Sequence, residues 1–90
     1  MAVKTTTDNP AYLDSLAWVL FKLKLPDKAL PPMLKAIELN GQPDAIMLDH
    51  LGEIYLALGR PAQARDAWRR SLAVEPDKAI QKKLDSTPAP

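Results

Sequence analysis

His50 is the only histidine in the chain, with Asp49 directly before it and Glu53 one turn farther on. These are the side chains best suited to hold a cation or move a proton. A metal, however, needs donors that converge on one point. Adjacent residues of a helix point in different directions, and an imidazole and a carboxylate three positions apart arise by chance in many helices. His50 therefore reads as a structural or solvated polar residue, and neither metal nor cofactor is expected. Ser15, His50 and an aspartate can be drawn as a nucleophilic triad, but no strained nucleophile turn or oxyanion nest accompanies them. Gly41, Gly52 and Gly59 are too scattered to cradle a phosphate and read as a turn, a packing contact and a helix cap. No catalytic residue is assigned, and the chain is not expected to be an enzyme.

Charge gives the next possible chemistry. Arg65, Arg69 and Arg70 lie close together, with Lys78, Lys82 and Lys83 farther on, but Asp66, Glu75 and Asp77 dilute the field. A solvated outer face fits this better than an RNA or phospholipid patch. The whole chain of 90 residues sets 12 Lys and Arg against 11 Asp and Glu, a net charge of +1. There is no surplus of positive charge to hold a phosphate backbone, so nucleic acid is not an expected partner. No apolar run is long enough to insert into a membrane, and residues 1–7 lack the apolar core of a signal peptide. With no cysteine there is no disulfide framework or thiol nucleophile, and the compartment is unassigned beyond the cytoplasm as a default.

The elements that position these residues are marked by prolines. Asp8 or Asn9 caps a first helical stripe of Leu13, Leu16, Ala17, Leu20 and Leu23, with Pro10 in its first turn. Pro26 opens a second, with Ala29, Leu30, Met33 and Ile37. Its internal pair Pro31-Pro32 removes two helix hydrogen bonds, so a kink or loosened turn is expected there. A third stripe carries Met47, Leu48, Leu51, Gly52, Tyr55 and Leu58 and ends at Gly59. Pro61 opens the fourth, with Ala64, Ala67, Trp68, Ser71 and Leu72, and Pro76 a short fifth with Ala79, Ile80 and Leu84. The expected fold is all-α: about five helices joined by short turns, so that neighbours run antiparallel as helical hairpins.

The first two segments repeat in the next two at an offset of about 35 residues. Leu16-Ala17 aligns with Leu51-Gly52, Leu20 with Tyr55, Pro26 with Pro61, Ala29 with Ala64, Met33 with Trp68 and Ile37 with Leu72. Each hairpin alone leaves an apolar face uncovered, and stacking closes one continuous core. Small Ala17, Gly52, Ala29 and Ala64 permit close helix approach, which Gly52→Leu would overpack.

These residues resemble the tetratricopeptide repeat (TPR). Residues 45–78 carry Leu51-Gly52, Tyr55, Gly59, Ala64, Trp68, Leu72 and Pro76 at the family's positions. Residues 10–41 fit less closely: Ala17 replaces a glycine, and Lys24 stands where the second unit has Gly59. A lysine at positive φ is strained, so the two hairpin turns are expected to differ. The resemblance implies a short right-handed TPR-like solenoid. Its boundaries would be a flexible segment 1–7, one domain over 8–85 with a capping helix at 76–85, and a flexible tail at 86–90.

The resemblance also implies a concave groove lined by the first helix of each hairpin. Carried onto this chain, its positions include Asp14, Trp18, Phe21 and Lys22, and Asp49, Glu53 and Leu56, which are the expected protein-binding residues. Trp18 and Phe21, one turn apart, would form a ring patch rimmed by Asp14, Asp49 and Glu53, suited to an apolar peptide or helix with a basic group. Alternatively Trp18 packs on the neighbouring hairpin or the N-terminal arm, or is covered by a second copy or a flanking domain. Asp14 and Asp49 stand where a carboxylate-clamping lysine is common, which disfavours recognition of a chaperone tail. The expected function is a non-enzymatic adaptor that binds a protein or peptide. The alternative is a structural segment that caps or extends a larger TPR scaffold or forms a homodimer.

Overall fold

The structure, a computed structural model, describes residues 9–41 and 44–88. Five helices follow one another: α1 (Pro10–Lys22), α2 (Pro26–Asn40), α3 (Ala45–Ala57), α4 (Pro61–Val74) and α5 (Lys78–Ser86). No strand occurs among the described residues, and none of their helices is long and apolar enough to cross a membrane. The expected segment 1–7 lies outside the described residues.

Local chemistry sets the helix starts. The Asn9 side chain accepts hydrogen bonds from the backbone N–H groups of Ala11 and Tyr12 at 2.9 and 3.3 Å. Asp44 caps α3 through Met47 N–H at 2.7 Å, and Asp77 caps α5 through Ala79 and Ile80. Helices α2 and α4 start instead on Pro26 and Pro61, whose missing N–H groups have no helical partner in any case.

Helix α2 is unbroken from Pro26 to Asn40, where the sequence led us to expect a loosened turn at Pro31-Pro32. The prolines leave the carbonyls of Asp27 and Lys28 without helical donors. Both of those residues are exposed, so water can take the lost bonds.

The hairpin turns also depart from expectation, because they are alike. Lys24 adopts φ 67° and Gly59 φ 73°. Leu25 N–H bonds Leu20 C=O at 3.0 Å, as Arg60 N–H bonds Tyr55 C=O at 2.9 Å. Lys24 N–H bonds Phe21 C=O, as Gly59 N–H bonds Leu56 C=O, both at 3.0 Å. Each pair of bonds is the helix-ending motif that requires a left-handed residue. The hydrogen bonds of the motif and the packing of the hairpin hold Lys24 there against its own preference.

Two clusters make one core. Leu13 and Ala17 of α1, Ala29, Met33 and Ala36 of α2, Met47, Leu51 and Ile54 of α3, and Ala67 of α4 form the first. Ala64 and Trp68 of α4 with Ile80 and Leu84 of α5 form the second, and Tyr55 packs against both. A Cβ on Gly52 would meet the Trp68 indole nitrogen and lie 2.6 Å from Cε2 and 2.8 Å from Cδ1. Gly52 therefore exists to admit Trp68, which is fully buried.

Helix α5 is fastened at its C-terminal end. Arg65 donates from Nη1 to the carbonyls of Leu84 and Thr87, and the Thr87 hydroxyl donates to Lys83 C=O at 2.8 Å. Arg65 is thus a helix cap rather than part of a solvated basic face, while Arg69 and Arg70 are exposed. Ser86 ends α5 and Thr87 is buried, while residues 89–90 of the expected tail lie outside the described residues.

Candidate functional site

The expected binding residues fall into two groups on the face formed by α1, α3 and α5. The first is built on α1. The Trp18 ring stacks on Phe21 with centroids 4.9 Å apart and planes 14° from parallel, and on His50 of α3 at 3.9 Å and 18°. The Lys22 ammonium lies 4.9 Å from the Trp18 ring centroid, within range of a cation–π contact. His50 is held from its other side, with Nδ1 2.9 Å from Asp14 Oδ1. An ionised carboxylate only accepts, so this contact places the proton on Nδ1. Asp14, Trp18, Phe21 and Lys22 lie together, and His50 is the residue that joins them to the second hairpin. Trp18 consequently does pack on the neighbouring hairpin through one ring contact.

The second group is built on α3 and is closed by α5. Asp49 accepts from Trp68 Nε1 at 3.0 Å and from Lys83 Nζ at 2.8 and 3.1 Å on its two oxygens. Glu53 lies 3.5 Å from the same ammonium. Burial of Lys83 works against its charge, but the hydrogen bond and charge of Asp49, and then those of Glu53, outweigh it. They hold the Lys83 pKa above its ordinary value of 10.5. The sequence reading left Asp49 and Glu53 as an open acidic rim and turned Lys83 to solvent. The structure pairs all three, and Asp14 is engaged by His50.

Two hollows open beside these groups. One is lined by Phe21, Lys22, Lys24, Pro26 and Ala57, between the ends of α1 and α3. The other lies between α3 and α5, with Leu56, Glu53, Ala79 and Lys82 among its walls. Leu56 and Ala57 are consecutive and exposed on α3, and each lines a different one of the two hollows. Leu56 joins the site here, away from the Trp18 rings. Lys24 and Lys82 were not singled out for this site from the sequence. A signal for Lys24 was present: a lysine where the companion repeat has glycine.

The triad that can be drawn from Ser15 and His50 is not assembled among the described residues. His50 pairs with Asp14 instead of Ser15, which is exposed. Among the described residues no three His, Cys, Asp or Glu side chains are grouped to hold a metal ion.

No curated protein and no solved structure matches the chain. Residues 45–78 match the family model for the tetratricopeptide repeat, so this part of the chain, α3 and α4 with the turn that follows, is a TPR-type repeat, a non-catalytic helical fold of the kind that serves protein–protein interaction.

Proposed function

We propose that the chain is a non-enzymatic module that binds a linear peptide or a helix on the face formed by α1, α3 and α5. The observation that carries the reading is the pair of hollows flanking α3, one lined by Phe21 and Ala57 and the other by Leu56. They leave apolar surface open between three helices whose backs are buried in the core. A peptide laid across that face covers apolar area while the polar groups around it keep their partners. Leu56 is 43% exposed and belongs to neither core cluster, so it can be changed without unfolding the protein.

Panning a random-peptide display library on the immobilised chain tests this, with Leu56→Asp as the counter-selection. Peptides enriched on wild type and lost on the variant are the expected result. Enrichment that survives Leu56→Asp, or none at all, ends the reading.

A second reading, attachment to another helical surface, is favoured by a different observation. Tyr12, Leu16, Val19 and Leu23 follow one another along α1 at spacings of four, three and four, and Tyr12, Val19 and Leu23 are largely exposed. Among the described residues that stripe is left open beside α1, where a further repeat or a second copy would stack.

A further inference from the structure

We infer that the occupant of the α1, α3 and α5 face is an acidic linear peptide: apolar side chains on Phe21, Leu56 and Ala57, and carboxylates against Lys22, Lys24 and Lys82. The inference rests on the peptide-binding reading above and sets the sign of the partner's charge, which is opposite to the basic group that the sequence suggested.

The argument is one of which charges are already used. The carboxylates of this face already have hydrogen-bond or ion-pair partners: Asp14 contacts His50, and Asp49 and Glu53 share the Lys83 ammonium. A basic partner would have to displace Lys83 from two acceptors, or His50 from its stack on Trp18. The lysines are in the opposite condition. Lys22 meets only the π face of Trp18, while Lys24 and Lys82 have no carboxylate partner among the described residues. All three line the hollows. The charges left without a counter-charge beside the hollows are therefore the ammoniums of Lys22, Lys24 and Lys82, placed to meet carboxylates of a partner.

Lys24 adds an independent observation. It stands in a left-handed conformation, φ 67°, that glycine would occupy without strain, as Gly59 does in the companion turn. Its side chain is exposed and makes no ion pair that would repay the strain within the fold. Backbone strain kept without a structural return is characteristic of functional positions. Here it places an ammonium at the mouth of the Phe21 hollow.

Fluorescence anisotropy with three labelled probes tests the inference: a short peptide alternating glutamate and leucine, and its glutamine–leucine and lysine–leucine counterparts. The glutamate probe is expected to bind about tenfold more tightly than the lysine probe, the gap narrowing as salt is added. The triple variant Lys22→Gln, Lys24→Gly, Lys82→Gln should lose about tenfold for the glutamate probe alone. Lys24→Gly by itself should weaken that probe while raising the melting temperature, which separates lost contact from lost fold. Preference for the lysine or glutamine probe, or an unchanged triple variant, overturns the inference; the peptide-binding reading then survives if Leu56→Asp abolishes the binding seen. Failure of all three probes overturns both. A single-stranded oligonucleotide bound as tightly as the glutamate probe through the same lysines would replace the acidic peptide with nucleic acid.

Discussion

Lys24 and Gly59 end equivalent helices with equivalent hydrogen bonds, so their difference isolates the cost of a side chain at positive φ. A Cβ at Gly59 would meet nothing within 4 Å, so the requirement is conformational and not one of space. Lys24→Gly should stabilise the fold by about 0.5–1 kcal/mol, the relief of left-handed strain less the extra freedom glycine gains in the unfolded chain. For a domain of this size that is a rise of roughly 2–8 °C in melting temperature, readable by circular dichroism. A fall would mean that the Lys24 side chain supports the turn. The lysine in a glycine position was legible in the sequence, but its consequence was not. Residue preference favoured a different turn, and only the bonds to Leu20 and Phe21 show that the hairpin overrides it. The pairing of Asp49 and Glu53 was hidden for another reason. Lys83 comes from α5, which lies outside the repeat, so no internal comparison could show which way that helix is turned.

Helices α3 and α4 meet where glycine faces tryptophan, and the first hairpin offers the contrasting pair at the same positions. There Ala17 and Met33 are both fully buried in one cluster, a larger small residue matched to a slimmer large one. Gly52→Ala should cost about 1–3 kcal/mol through the clash with Trp68. Adding Trp68→Met removes the indole the methyl would strike and recreates the first hairpin's pair. The double variant should be less destabilised than the sum of the singles, although it loses the Trp68 bond to Asp49. Strict additivity in urea unfolding would show that the two residues are not packed against each other. Helix α5 is held to α3 by charge as well as by packing. The pKa of Lys83 is raised in the fold, so its contribution is complete below the ordinary lysine value of 10.5 and is lost as pH climbs through the higher folded value. At neutral pH, Lys83→Gln should lower stability by about 0.5–1 kcal/mol, as expected of a part-exposed pair. The gap between variant and wild type should close only in strongly alkaline solution. A gap that closed near pH 8 would assign the effect to some other group. The helices themselves were legible because Pro10, Pro26 and Pro61 punctuate them, whereas the continuity of α2 through Pro31-Pro32 depends on the exposure of Asp27 and Lys28, which sequence spacing does not report.

The α1 and α5 sides of the described helices differ in how they are covered, and this bears on how many copies act together. On the α5 side Ile80 and Leu84 cover Trp68, and Arg65 ties down the last turn of α5. On the other side α1 has three faces: Leu13 and Ala17 in the core, Asp14 and Trp18 toward α3, and the stripe of Tyr12, Leu16, Val19 and Leu23 against no described residue of a further helix. Burying this stripe would add apolar contact to the two hairpins formed by the described residues. A second copy placed stripe to stripe gives a two-fold interface that closes on itself and leaves the α1, α3 and α5 face of each copy open. Light scattering across protein concentration should therefore show a monomer passing to a dimer. Val19→Asp with Leu23→Asp should hold the chain monomeric, and because those residues are 54% and 62% exposed, the melting temperature measured in dilute solution should stay within a few degrees of wild type. Binding of peptide should survive in this variant. A wild type that remains monomeric at high concentration would remove self-association from the stripe and leave it as the seat for a flanking helix, whereas loss of peptide binding together with the dimer would mean that the two faces work as one.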